Sequence, residues 1–101
     1  MDEFQVENNK SIRGFILRAL VRGNNYTLLC RQISNLLIQR NLIISPDIAE
    51  HLQYLHGKGY IQFIDRKIAA INAYRNDAAV QLTPNGVDLV EGTEDDPGVD
   101  I

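Results

Sequence analysis

The chain has 101 residues, of which 45% are hydrophobic and 23% charged, with a formal net charge of −3. This length suits one hydrophobic core rather than two ordinary domains, and the composition excludes a disordered or collagen-like chain. No apolar run approaches the roughly 18 residues that cross a bilayer, and the acidic N-terminus lacks the bases of a secretory signal. We therefore expect a cytoplasmic protein with no membrane contact.

Charge is divided unevenly along the sequence. Residues 1–87 carry 10 Lys and Arg against 7 acids, a net charge of +3, whereas residues 88–101 carry 6 acids and no base, a net charge of −6. The mildly basic part permits a polyanionic partner such as nucleic acid, although it lacks the strongly basic stripe of many nucleic-acid-binding proteins.

Three helices are predicted in the first half of the chain. In residues 7–22, apolar side chains recur at the spacing of one helical face, and Gly23 follows as a stop signal. Gly14, inside this helix, suggests close approach of another backbone. The second helix is predicted from a cap at Thr27 to about Arg40, with an apolar face of Leu29, Ile33, Leu36 and Leu37.

The third helix is predicted to begin at Ser45–Pro46, because serine is a good N-cap and proline is tolerated at the first helical position. It runs to about Lys58, and Gly59 ends it. The side chains expected to point into the core are Ile48, Leu52 and Leu55.

After Gly59 the apolar period shortens towards two. Residues 60–64 and 78–82 are predicted to be paired strands. Residues 65–77 fit either an extension of this hairpin or one or two helical turns, and we prefer the hairpin. Thr83–Pro84 repeats the cap-and-proline signal, which predicts a short fourth helix carrying Val87, Leu89 and Val90 up to Gly92.

The last nine residues differ from the rest. Residues 93–101 contain four acids and a Pro97–Gly98 pair, which is typical of a solvated end. We therefore predict one domain over residues 1–92, followed by an acidic, loosely ordered C-terminal tail.

This order of elements is that of an α+β winged helix-turn-helix domain, with a three-helix bundle, a two-stranded β wing and a short C-terminal helix. Two runs carry the resemblance: residues 48–61, IAEHLQYLHGKGYI, resemble a recognition helix entering a wing strand, and residues 80–90, VQLTPNGVDLV, resemble the second wing strand entering the last helix. This resemblance implies DNA binding and transcription regulation.

A narrower resemblance lies in the C-terminal part. The run LTPNGVDL at residues 82–89, followed by Gly92 and by DPGV at residues 96–99, resembles small winged-helix proteins of Mu-like bacteriophages and prophages. This resemblance implies a phage- or prophage-encoded protein in the cytoplasm of a bacterial host.

If the third helix reads DNA, its outward face would present Glu50, Gln53 and Tyr54, with Lys58 at the flank. Gln53 could pair with adenine, Glu50 with cytosine, and Tyr54 could reach a phosphate. With Asp47 included, this face carries a net charge of −1. Affinity for a duplex would therefore have to come from elsewhere.

Four basic residues could supply that affinity by contacting phosphates, or could be ordinary solvated charges: Arg31, Arg66, Lys67 and Arg75. The predicted partner is double-stranded DNA, bound by a monomer or a homodimer. The alternative is a winged-helix module for protein–protein interaction that does not bind DNA and whose acidic helix face and tail engage a basic partner.

No pattern predicts an enzyme or a cofactor. Cys30 lies in an apolar helical pattern and is expected to be a small buried side chain. Asp47 and His51 have a chelating spacing but no evident third ligand, so His51 is expected to be partly packed. Glycine-rich phosphate loops, serine elbows and zinc-finger spacings do not occur in the sequence. We predict no catalytic residue, no metal and no cofactor.

Overall fold

Four helices and a three-stranded antiparallel sheet form an α+β architecture over residues 3–101, the part of the chain that the computed structural model describes. The elements in chain order are α1 (Glu3–Arg22), β1 (Thr27–Leu29), α2 (Cys30–Gln39), α3 (Ala49–Gly57), β2 (Ile61–Phe63), β3 (Ala79–Leu82) and α4 (Pro84–Glu91). Two short 3-10 turns lie at Asn24–Tyr26 and Ala70–Asn72. None of the described helices combines the length and apolar character needed to span a bilayer.

The sheet has the order β1-β3-β2. Pairing of β2 with β3 confirms the predicted strand pair, with Ile61 opposite Leu82 and Phe63 opposite Val80. The sequence did not predict β1 as a third strand, which pairs antiparallel with β3 through Thr27 opposite Gln81. The last strand in the sequence is therefore the central strand of the sheet.

One hydrophobic core joins the helices to one face of the sheet. Its fully buried side chains come from α1, α2, α3 and the strands, and include Ile16, Leu17, Leu20, Ile33, Leu37, Leu52, Leu55 and Val80. The predicted inward positions Ile48, Leu52 and Leu55 are confirmed, and Cys30 is buried as expected. Each supplies apolar area removed from water, the dominant favourable contribution to folding.

The start of the second helix was predicted wrongly. Residues 27–29 are extended because they pair with β3, and the Cys30 amide donates to the carbonyl of Ala78 at 2.8 Å. The helix therefore begins at Cys30, with Leu29 as its N-cap and the Gln32 side chain accepting from the Leu29 amide at 2.8 Å. Leu29 is exposed rather than part of the apolar face.

The start of the third helix was also predicted too early. Ser34 on α2 donates its hydroxyl to the carbonyl of Pro46 at 2.9 Å, and Ile48 is only 1% exposed. This hydrogen bond and the burial of Ile48 hold residues 46–48 in a non-helical conformation, so that α3 begins at Ala49. Asp47 Oδ1 accepts from the Ala49 amide at 3.0 Å, so Asp47 satisfies one of the free donors at the helix start.

Residues 65–77 do not extend the hairpin. They form turns around the 3-10 turn Ala70–Asn72, which packs against α3, and Ala73 is completely buried. By contrast, α4 follows its prediction. Thr83 Oγ1 accepts from the Gly86 amide at 3.2 Å, and Gly92 ends the helix with a φ of 88°.

The C-terminal segment, residues 93–101, packs against the folded body, whereas the sequence predicted a loosely ordered tail. Asp96 and Val99 are each only 6% exposed, and Val99 belongs to the hydrophobic core. The Asp100 amide donates to the Lys10 carbonyl at 3.1 Å, and the Asp100 carbonyl lies where a side chain on Gly14 would have to be. This close backbone approach is the one that Gly14 suggested.

Candidate nucleic-acid interface

The outward face of α3 is held in place by the opposite face of the same helix. Leu52 and Leu55 are fully buried, which leaves Glu50 and Gln53 exposed to solvent. Gln53 therefore lies where the sequence placed it, with an amide group that can both donate and accept hydrogen bonds.

Tyr54 does not stand free on that face. Its hydroxyl donates to Asp96 Oδ1 at 3.3 Å, and the Arg13 guanidinium lies 3.8 Å from the centre of its ring. Lys58 Nζ lies 5.6 Å from the centre of the same ring, and Lys58 is exposed to solvent. Tyr54 thus joins α3 to α1 and to the C-terminal segment, and its hydroxyl is already engaged.

Asp96 is the centre of this contact. It accepts from the Tyr60 hydroxyl at 2.7 Å and from the Gly98 amide at 2.8 Å, besides the bond from Tyr54. Burial alone would raise the pKa of Asp96, but the hydrogen bonds from Tyr60 and Gly98 and the charge of Lys58 outweigh it and hold the pKa below its usual value. Burial and the bond to Asp96 raise the pKa of Tyr60 to about 12.

Arg66 lies beside the C-terminal end of α3. Five side chains line a groove of about 330 Å³ between this end and β2, which we call the Arg66 groove: His56, Gln62, Phe63, Arg66 and Ile68. The His56 and Phe63 rings are 5.2 Å apart. Lys67 follows Arg66 and is exposed, with its amide donating to Asp65 Oδ1 at 3.0 Å.

His56 and Gln62 were not predicted to be interface residues. The period of two in β2 already places Gln62 on the side opposite Ile61 and Phe63, and Gln62 is exposed. His56 becomes a candidate only when residues 65–77 fold back towards α3, which the sequence did not reveal.

Arg31 and Arg75 form a second basic region, at the start of α2. Arg31 donates through Nε to the Tyr74 carbonyl at 3.2 Å and through a terminal nitrogen to the Arg75 carbonyl at 2.9 Å. The Arg31 amide also donates to Asp77 Oδ1 at 3.0 Å. Arg31 therefore ties residues 65–77 to α2, and part of its donor capacity is used within the protein, while Arg75 stays exposed.

His51 is half-buried, and its Nδ1 has no hydrogen-bond partner. Burial and the nearby charge of Arg13 lower its pKa. Among residues 3–101, no group of three or more His, Cys, Asp or Glu side chains is placed to hold a metal ion. Asp47, the suggested chelating partner of His51, is instead bonded to the amide at the start of α3.

Comparisons with protein-family models, curated proteins and solved structures find no match to this chain.

Proposed function

We propose that this chain is a winged-helix protein that binds double-stranded DNA through α3 and regulates transcription. The order α1-β1-α2-α3-β2-β3-α4 supports this fold, because a helix with an exposed polar face is followed at once by an antiparallel strand pair. In such domains one helix enters the major groove, whose base edges carry a distinct donor and acceptor pattern.

The observation that carries the proposal is the position of the Arg66 groove beside α3. Gln53 offers a side-chain amide suited to adenine, and Arg66 and Lys67 offer cations for the adjacent phosphates. Gln62 and His56 add polar atoms to the lining of the groove, although the Gln62 amide nitrogen already donates to Gln81 Oε1 at 2.7 Å. A base-reading face next to a phosphate-binding group is the arrangement that sequence-specific binding needs.

Arg75 and Lys58 complete the proposed contact set as exposed cations. In this proposal Arg31 has a supporting role, because it holds residues 65–77 near α2 and so positions Arg75. Tyr54 likewise orients α3 through Asp96.

The resemblance of residues 82–99 to small winged-helix proteins of Mu-like phages supports a phage or prophage origin. We therefore propose a regulator that acts in the cytoplasm of a bacterial host. Two weakly bound half-sites would gain affinity if the protein were a dimer.

Binding to a random-sequence DNA duplex, measured by fluorescence anisotropy over a range of salt concentrations, tests the proposal. Affinity should fall steeply with salt, and Arg66→Ala with Lys67→Ala should reduce the slope of log K against log salt by about 1–2. Lys10→Ala is the control, because Lys10 lies on α1, away from the Arg66 groove, in a partly exposed ion pair with Glu7. Undetectable binding at low salt, or an unchanged slope in the double variant, would contradict DNA binding.

A protein–protein interaction module is the second candidate. It is favoured by Ile71, which is 87% exposed in the turn that packs against α3, and by the exposed acidic Glu50 on that helix. This function predicts capture of a basic host or phage protein that is lost on Glu50→Lys, together with no salt-dependent duplex binding.

A further inference from the structure

One side of α1 carries a line of side chains that are exposed or only partly buried, in which Phe15 packs partly against the core and the Arg18 guanidinium donates to the Asp100 carbonyl at 3.0 Å. Their spacing alternates between four and three residues, which places them within about 40° of one line along the helix. These residues are Phe4, Asn8, Ser11, Phe15, Arg18 and Arg22. Phe4 is 85% exposed, an unusual position for a large aromatic side chain.

The C-terminal half of this line borders a groove of about 410 Å³ between α1, β1 and α2. Four apolar side chains and three arginines line it, and we call it the arginine groove: Phe15, Ala19, Leu28, Leu36, Arg18, Arg22 and Arg40. The Arg40 guanidinium lies 5.6 Å from the centre of the Phe15 ring. None of these described lining residues is acidic, so the groove presents an apolar floor with a cationic rim.

The first turns of α1 have the opposite character. Glu3 and Glu7 are exposed and flank Phe4 on the helix surface. Within residues 3–101, Glu7 forms an ion pair with Lys10 at 3.8 Å, a partly exposed pair of the kind that contributes little to stability. An exposed aromatic ring between two carboxylates therefore complements the apolar floor and the positive charge of the arginine groove.

We propose that the arginine groove binds the first turns of α1 from a second copy of this chain, giving a two-fold symmetric dimer. The two α1 helices run antiparallel, and Phe4 of each copy enters the groove of the other. Glu3 and Glu7 then face Arg22 and Arg40. Each chain thus uses the same surface, which contains both the acidic first turns of α1 and the arginine groove, as an isologous interface requires.

The placement of the two patches favours a second copy over another ligand. Acidic residues lie in the first turns and arginines in the last turns of this helix of 20 residues, about 30 Å long, so antiparallel pairing brings opposite charges together at both ends of the helix pair. Parallel pairing would instead set Arg22 against Arg22. Ser11 lies between the two patches and is small enough to let the helices approach to about 8–10 Å. This proposal does not depend on DNA binding.

Sedimentation velocity of the full chain without DNA tests the dimer. The expected species at high concentration has twice the 11.4 kDa mass of one chain. Phe4→Ala should weaken association by about tenfold or more, because central aromatic anchors dominate such interfaces. Ile44→Ala is the matched control, since Ile44 is fully exposed in the loop before α3 and lies outside the groove. Circular dichroism should show that both variants keep their helices.

Charge reversal gives a second test that side-chain loss alone cannot imitate. Arg22→Glu with Arg40→Glu should abolish the dimer, and Glu3→Lys with Glu7→Lys should do the same. All four changes together should restore it, because the complementarity is then reversed on both sides. A monomer at every concentration, a dimer insensitive to Phe4→Ala, or failure of the fourfold variant to associate would overturn the proposal.

Discussion

Replacing Asp96 with alanine should lower the free energy of unfolding by about 2–3 kcal/mol, because hydrogen bonds to a buried charged group are worth more than ordinary ones. The change leaves the buried Tyr60 hydroxyl without its acceptor and removes the acceptor of the Gly98 amide. For a domain of this size, the melting temperature should fall by about 10–20 °C.

The adjacent Asp95 provides the control for this prediction. It carries the same charge and is exposed, so Asp95→Ala should change stability by less than about 0.5 kcal/mol. Urea titration of the three proteins measures the difference. Equal stabilities of the Asp96→Ala and Asp95→Ala proteins would mean that the hydrogen bonds to the Asp96 carboxylate contribute nothing to stability.

The effect should depend on pH with a defined sign. Since the pKa of Asp96 is lower in the folded protein than its ordinary 3.8, its contribution is present above that value and disappears as pH falls through the folded-state pKa. The difference in stability between wild type and Asp96→Ala should therefore become smaller as pH falls below about 4. His51, whose pKa is also lowered, makes both proteins less stable as pH falls below 6.5, so only their difference reports on Asp96.

The same substitution should have opposite effects at two helical glycines. An added Cβ at Gly14 collides with the Asp100 carbonyl, whereas one at Gly57 meets no atom within 4 Å. Gly14→Ala should therefore destabilise by about 1–3 kcal/mol despite better helix propensity. Gly57→Ala should stabilise by about 0.5–1 kcal/mol, since alanine loses less backbone freedom than glycine. Chemical denaturation of both variants measures the two signs.

Gly14 and Asp96 hold the same segment from different sides. If Gly14→Ala acts by displacing residues 96–101, the contacts of this segment are already lost in that variant. The double variant Gly14→Ala/Asp96→Ala should then lower the free energy of unfolding by less than the sum of the two single changes. Full additivity would place the effect of Gly14→Ala within α1 instead.

Local signals predicted much of the framework. Glycine and proline signals, together with apolar periodicity, gave the end of α1, the β2–β3 pair and the whole of α4, where Thr83 and Gly92 act as expected. These features depend on residues close to each other in sequence. Gln53 was placed correctly for the same reason, since the buried Leu52 and Leu55 fix the rotation of α3.

The wrong predictions share a different cause, because each of these features depends on contacts with residues far away in the sequence. Strand β1 has only three residues and exists because β3 pairs with it. The start of α3 depends on Ser34 bonding to Pro46, which overrides the cap-and-proline signal. Residues 65–77 fit two conformations, and burial of Ala73 beside the core selects turns.

The candidate site shows the same division. Arg66 and Arg31 were both predicted as candidate phosphate contacts. The sequence did not reveal that Arg66 lies beside α3, whereas Arg31 donates to the carbonyl of Arg75. It also assigned the Asp96 carboxylate to solvent, because acidic composition predicts exposure unless a hydrogen-bonding pocket exists. That pocket is built from Tyr54 and Tyr60, which lie far away along the chain.

The central position of β3 determines the order in which the chain can fold. Neither β1 nor β2 has a strand partner until Ala79–Leu82 has been synthesised. Thr27 pairs with Gln81, which lies about half of the chain further on. During synthesis, the three preceding helices therefore leave the ribosome before any sheet can form. We expect early collapse of the helices, with closure of the sheet as the slow step, because contacts between distant residues require the largest loss of chain entropy.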